Sequence, residues 1–406
     1  MAETYSGAVR RRVLQRLRSG ADVASIARDT GISRTTLYRW RREGVPPSAV
    51  PKAAAPDGKL KDITGPGITD RWGVTCTDLG ASIRAPNGKL VSVFGDTFPG
   101  NRVGEGKPWR SPVVLIGTGD ADHEISYERA GGDDPDYAHQ LWFYPHDNTG
   151  GRISTVIPSD LLRVDDSLYL HAVVNRGYGN VIWTEIWQST DSGTSWKHMG
   201  RKAKFPGALH HGHAQLWSWD YDPDDGWVYV VSTGFQRDKG IILRRVRPQD
   251  IGDRRKYAGW GYASGRWSWG NEPTVITPEG ETWGELSFRR LQRGKWVLGG
   301  FLSSKYALGY RIVDSPVANI HEAPIQLPVI GTAWGAENHA SSRVAQLYGG
   351  YVLPGSQLDV AGGVGLVVSQ WKTDTGWPYR VMQFRATLRD TTENRRGPGD
   401  PINVIG

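Results

Sequence analysis

"KLVSVFGDTF" (89–98), followed by "SPVVLIGTGD" (111–120), is the stretch on which the reading of this chain turns. Each half is a short apolar run rich in β-branched residues and closed by Gly, Asp or Pro, a pattern that predicts two neighbouring strands. The same pairing recurs. "SLYLHAVVN" (167–175) precedes "TEIWQSTDSGTSW" (184–196), and "GWVYVVSTG" (226–234) precedes "GIILRRV" (240–246). "GKWVLGGFL" (294–302) with "LGYRIVDS" (308–315), and "VGLVVSQW" (364–371) with "PYRVMQFRATL" (378–388), complete the set. Corresponding points, Val93, Tyr169, Tyr229, Val297 and Val367, lie 76, 60, 68 and 70 residues apart, each interval enough for one four-stranded sheet. No long stretch after residue 68 has helical periodicity. Repeated sheets of this size without intervening helices predict an all-β fold, a five-bladed β-propeller, with space for a degenerate extra blade around 120–160.

Composition agrees. The 52 Gly, 18 Trp and 16 Tyr suit short strands, tight turns and wedge-shaped gaps between sheets, and a few of the Trp rings also suit sugar faces. "STDSGTSW" (189–196) matches Ser-x-Asp-x-Gly-x-x-Trp, the Asp-box of sialidase-like propellers. Asp191 is expected to cap the turn, Gly193 to supply a positive φ and Trp196 to pack beneath, with no chemistry assigned.

The net charge of +7 is concentrated at the front: residues 1–50 hold ten Arg and four acidic residues, so the remaining chain sums to about +1. The body is therefore not a polyanion binder. One cysteine, Cys76, excludes an intrachain disulfide framework. No apolar run reaches membrane-spanning length, and no signal-peptide core is evident, so synthesis in the cytoplasm is expected.

Four segments follow: a helical module at 1–43, a Pro/Ala/Gly-rich linker at 44–67, the propeller at 68–390 and a tail at 391–406. Within the first, "DVASIARDTGISRTTLYRW" (22–40) resembles the helix-turn-helix of resolvases and transposases. Small Ala27 lets two helices approach, Gly31 turns the chain, Ile32 and Leu37 form a shared core, and Ser33 caps the second helix. On that helix Arg34, Thr35, Thr36 and Arg39 are the candidates for DNA contact, with Arg41 and Arg42 toward phosphates.

Two acidic motifs fit the end of a propeller channel. "CTDLG" carries Asp78 and "VFGDTF" carries Asp96, 18 residues apart, about one hairpin. Glycosidic cleavage needs such a pair, one carboxyl to protonate the leaving oxygen and one to activate water or attack the sugar. An Asp beside Gly or Thr is also an ordinary turn former. Glu285 in "WGELS" has two readings: a group that orients a catalytic aspartate or binds a sugar hydroxyl, or a buried carboxylate paired with Arg289 or Arg290. Asn338 in the polar loop "AENHASSR" (336–343) is a candidate for lining a sugar cleft, and Tyr351, Gln370 and Trp371 join it only because they follow the motifs of the family that the chain resembles, given below. Gln370 and Trp371 are strand neighbours, so at most one reaches substrate. "HHGH" (210–213) places His211 and His213 on one strand face, but lacking an acidic or Cys partner it reads as a structural cluster. No metal or other cofactor is expected. Cys76 reads as packing.

"TDLGASI" (77–83), "VFGDTF" (93–98), "WGELSFRRL" (283–291), "YGGYVLP" (348–354) and "VVSQW" (367–371), in that order, resemble a bacterial and phage propeller family, long a domain of unknown function, that includes endo-D-arabinanases. The resemblance covers roughly residues 65–390. It implies an endo-acting glycoside hydrolase on the D-arabinofuranose linkages of actinobacterial cell-wall arabinan, with Asp78 and Asp96 as its paired aspartates. "GVTCTDLG" (73–80) departs from the Gly-Thr-Asp-like turn expected there, and the helical module lies outside the family domain. The partners implied are a cell-wall polysaccharide and, through the module, DNA, at the cell wall as a virion-associated or lysis-released protein. Two other readings stay open: a glycan-binding propeller without catalysis, such as a phage tail adhesin, and a DNA-binding regulator with a sugar-sensing propeller.

Overall fold

The computed structural model describes Val13, residues 22–34, 36–37, 55–147, 151–177, 179–291 and 294–392. The N-terminal unit and the β-rich unit are separate compact bodies. In the first, the helix Val23–Thr30 starts where the Asp22 side chain accepts from Ser25 N at 3.1 Å and ends at Gly31, whose φ of 72° is open to glycine without strain. Ser33 Oγ then accepts from Thr36 N at 3.2 Å, the expected cap. Val13, Val23, Ile26, Ile32 and Leu37 form the core, with Ala27 half-buried against it. Arg34 is exposed and Thr36 partly so, whereas Thr35 and Arg39 lie outside the described residues.

The second unit is a five-bladed propeller. Its innermost strands are Leu79–Arg84, Thr155–Val164, Leu216–Asp222, Trp283–Arg290 and Leu347–Val352, and they touch one another in ring order. Each of the five strand pairs read from the sequence is the second and third strand of one blade, antiparallel and in contact. Second strands such as Leu90–Phe94 and Trp296–Leu302 are buried at every position, because blades pack on both of their faces. That is why they read as unbroken apolar runs instead of alternating ones. Among the described residues of 120–160 there is no further blade: Ser126–Ala130 is the outer strand of the first.

One strand falls inside the segment read as linker. Gly58–Asp62 pairs with Tyr379–Ala386 as the outermost strand of the last blade, so the two ends of the β-rich chain close the ring together. "GKLKD" carries three charges and no alternation because it lies on an edge, where charged side chains also block pairing with other molecules. The Asp-box forms as expected. Asp191 accepts from Ser189 Oγ at 2.8 Å and Ser195 N at 2.9 Å, Gly193 has φ 90°, and the Trp196 indole donates to Gly193 O at 3.1 Å.

A buried ion pair crosses the centre. Arg289 of the fourth blade donates to both carboxylate oxygens of Asp160 in the second, and Ser218 of the third donates to the same carboxylate at 2.5 Å. Since strands alternate in direction, the start of each innermost strand, the end of the second and the start of the third share one rim. Four of the five innermost strands carry a register shift, at Leu79/Ala81, Pro158/Asp160, Trp283/Leu286 and Gly349/Tyr351. Such bulges re-aim side chains toward the axis.

Candidate active site

Asp78 immediately precedes the first innermost strand, and Asp96 follows the second strand of the same blade. Leu79 pairs with Phe94, and Gly95 N donates to Asp78 O at 3.2 Å, so the hairpin brings both acids to the same rim. Leu79 has φ 65° and Gly80 φ 93°; a non-glycine residue in the left-handed region is strained, and the strain sits where the bulge turns Asp78 inward. A side chain at Gly95 would collide with Asp78 Oδ1, which accounts for the glycine of "VFGD".

The two carboxyls, both partly buried, have different surroundings. Asp78 Oδ2 accepts from the Tyr348 hydroxyl at 3.0 Å, and the Tyr379 hydroxyl also addresses this carboxyl. Burial first, then the neighbouring charge of Asp96, push Asp78 up to about 8, against the two tyrosine hydrogen bonds, with Glu285 adding to the rise. Asp96 Oδ1 accepts from the Trp109 indole at 2.8 Å and from Thr155 Oγ1 at 3.1 Å. Burial raises Asp96 as well, to about 6, and these two donors to its anion hold it below Asp78. Both carboxyls are raised, Asp78 further than Asp96, so Asp78 is the member of the pair that keeps a proton to higher pH.

Glu285, on the bulged start of the fourth innermost strand, pairs with Arg237 at 2.5 Å, not with Arg289 or Arg290. Arg289 is held by Asp160, and Arg290 by Asp222 at 3.1 Å. The Arg237 guanidinium also lies 5.2 Å from the Tyr348 ring, and its proximity to Glu285, Tyr348 and Asp78 outweighs burial and raises its titration. Glu285, Arg237, Tyr348 and Asp78 are thus one electrostatic cluster. Tyr351 is buried with them: Glu285, Asp160 and Asp78 all raise its hydroxyl, after burial. Among the described residues, the Tyr351 hydroxyl and Glu285 Oε2 have no hydrogen-bond partner.

Other candidates lie elsewhere. Asn338 is exposed and caps the short turn His339–Ser341, accepting from Ser341 N at 3.3 Å, and that turn packs on the outer strand Gly58–Asp62. Gln370 is fully buried, donates to Glu337 and to Ala345 O and accepts from Arg380 at 3.2 Å, which leaves it nothing for a sugar. The structure groups neither with the aspartates. His210 and His211 have φ of 51° and 55° in a kinked turn, so "HHGH" is not a strand, and His210 pairs with Glu272 at 2.5 Å. Among the described residues no three His, Cys, Asp or Glu side chains converge as metal ligands. Cys76 is buried beside Phe98 and its thiol is pushed up to about 12 by burial and by Glu105, so it is no nucleophile at neutral pH.

Sequence reasoning missed Trp109, Thr155, Arg237, Tyr348 and Tyr379. Tyr348 carried a signal: the Gly349–Gly350 bulge in "YGGY" lets both tyrosines turn inward. Arg237 sits in a loop with no motif, 48 residues from Glu285, and only the fold reveals it.

Fold and site together define a five-bladed propeller with an unequal pair of carboxyls at one end of its channel. The chain belongs to the family described as "Domain of unknown function (DUF4185)", whose model matches residues 64–385. A second model, described as "Transposase", matches residues 1–55, in accord with the helix-turn-helix. An uncharacterized 35.9 kDa protein of Mycolicibacterium smegmatis is 30% identical over 333 residues, 78% of this chain and 93% of its own. Notoamide biosynthesis cluster protein J' of Aspergillus versicolor is 30% identical over 341 residues, 78% of this chain and 88% of its own. Among solved structures, a candidate hydrolase from Bacteroides ovatus superposes with a TM-score of 0.53 at 11% identity, covering 78% of this chain and 87% of that one, a likeness of fold.

Proposed function

We propose that the propeller is an endo-acting glycoside hydrolase of D-arabinofuranose polymers. The observation that carries this reading is the split between the carboxyls, Asp78 raised to about 8 and Asp96 to about 6, on one hairpin at the channel mouth. Asp78 is the general acid: it gives its proton to the glycosidic oxygen as the bond to the anomeric carbon breaks. Asp96, ionised and steadied by Trp109 and Thr155, stabilises the cationic sugar and takes a proton from the water whose oxygen bonds to the anomeric carbon, and exchange with solvent returns the proton to Asp78. Tyr348 and Tyr379 orient Asp78, while Arg237 holds Glu285 close by. The Tyr351 hydroxyl and Glu285 Oε2, both buried and without a hydrogen bond among the described residues, lie behind the pair as part of the same electrostatic cluster. D-arabinan as the substrate rests on the motif resemblance alone. The test is oligosaccharide release: mycobacterial D-arabinan should yield short oligomers, whereas L-arabinan and xylan should stay intact. No release from D-arabinan refutes the assignment.

For the N-terminal unit we propose DNA binding, supported by the exposed Arg34 beside Thr36 at the start of the second helical turn. The full chain should retard duplex DNA with a steep salt dependence, and an Arg34→Ala variant should not. Equal retardation by both removes that reading.

A further inference from the structure

A cavity of about 470 Å³ opens where the first and last blades meet, lined by Pro66, Asn101, Arg102, Lys372, Thr375 and Trp377. Three segments line it, and two of them, apart from the one that carries Pro66, lead to the candidate active site. The loop 99–108 of the first blade connects Asp96 to Trp109, and the turn 372–378 of the last blade runs directly into Tyr379. The segments are tied to each other, since Val103 N donates to Gly376 O at 3.0 Å. Within the turn, Lys372 N donates to Pro378 O at 2.7 Å and Thr375 Oγ1 to Trp377 O at 2.8 Å, so one backbone bond and one side-chain bond brace its wall.

The lining has a definite chemistry. It offers one indole, two cations, an amide and a hydroxyl, and no carboxylate. Arg102 is only loosely held by Glu105, at 4.0 Å. The Lys372 ammonium lies 5.4 Å over the Trp334 ring and forms no ion pair among the described residues. Two cations in one small cavity stand out against a body whose charge sums to about +1. An indole takes the apolar face of a sugar ring, and an adjacent Arg and Lys take a carboxylate or phosphate.

We propose that this seam cavity binds an acidic substituent on the glycan, a carboxylate or phosphate carried by a sugar a few residues from the bond that is cut. Trp377 stacks on the ring, and Arg102 with Lys372 holds the anion. The proposal rests on the hydrolase reading for its substrate and adds a class to it: acid-bearing glycan is preferred over the neutral polymer.

The test uses the full chain with Asp96→Asn, so that bound sugar is not consumed. It is titrated calorimetrically with a linear D-arabinan oligosaccharide, with the same compound oxidised to a carboxylate at its terminal primary alcohol, and with its phosphate ester at that carbon. One or both acidic forms should bind about tenfold tighter than the neutral one, a preference that shrinks with added salt. Which arm is tighter identifies the anion. Arg102→Met with Lys372→Met should erase the preference and leave neutral affinity unchanged, whereas Trp377→Ala should weaken all three ligands. Equal affinity for acidic and neutral forms overturns the proposal, as does a preference that survives the double substitution or a failure of all three to bind. An acid preference alongside a wild-type chain that cuts no arabinan leaves the cavity standing and removes the hydrolase reading; cleavage without the preference does the reverse.

Discussion

Replacing Asp78 with Asn should abolish cleavage of arabinan and stabilise the protein. In the unfolded chain this carboxyl titrates near the ordinary 3.8 of an aspartate, whereas in the folded chain it is held up to about 8. At pH 7 the folded state must therefore keep a proton that the unfolded state has released. At 1.36 kcal/mol per pH unit this costs roughly 4 kcal/mol as a ceiling, and solvent access to the partly exposed carboxyl reduces the figure to about 1–2 kcal/mol. The sign follows from linkage. A carboxyl raised on folding carries no penalty below about 4, and the penalty grows as pH rises toward its folded value of about 8. Asn has no proton to hold and still accepts from Tyr348. Thermal unfolding of wild type and Asp78→Asn at pH 4, 5.5 and 7 is the assay. The variant should gain a few degrees at pH 7, less at pH 5.5 and nothing at pH 4. A variant that is less stable at pH 7, or whose gain does not change with pH, refutes the electrostatic argument.

Three further outcomes are expected. The rate against pH should be bell-shaped with limbs near 6 and 8, because Asp96 must be ionised while Asp78 is protonated. Tyr348→Phe removes a donor to the Asp78 anion and should move the alkaline limb up by about one pH unit, whereas Glu285→Gln removes a nearby negative charge and should move it down; kcat/KM across pH 5–9 checks both. Asp160→Asn leaves Arg289 buried beside a neutral partner and should cost about 3–5 kcal/mol, lowering Tm by several degrees, with much of the loss recovered in Asp160→Asn with Arg289→Met.

Legibility tracked burial. Strands sandwiched between blades, such as Leu90–Phe94 and Val364–Trp371, announce themselves as apolar runs because both of their faces are covered. The closing strand Gly58–Asp62 was hidden among linker residues because an edge strand needs neither alternation nor apolar bulk. The acids could be singled out because one hairpin carries both and a motif surrounds each. Their division of labour could not, since it depends on the tyrosines of the last blade and on Trp109 and Thr155, brought in from outside the hairpin by closure of the ring. The role of Asn338 is not legible for a local reason: a polar loop that faces a cleft and one that caps a turn have the same composition. The burial of Gln370 is not legible either, because its partner Glu337 lies 33 residues away and is recruited only by folding.

The division of labour between the two carboxyls is open to one decisive kinetic comparison. An oligo-D-arabinofuranoside with a 4-nitrophenyl leaving group needs no proton to depart, whereas the natural linkage does. With Asp78 as acid and Asp96 as its ionised partner, Asp78→Asn should lose turnover on arabinan yet release nitrophenol at close to the wild-type rate, and Asp96→Asn should fail on both. Equal loss on the two substrates by Asp78→Asn, or wild-type turnover of arabinan by either variant, would contradict the account.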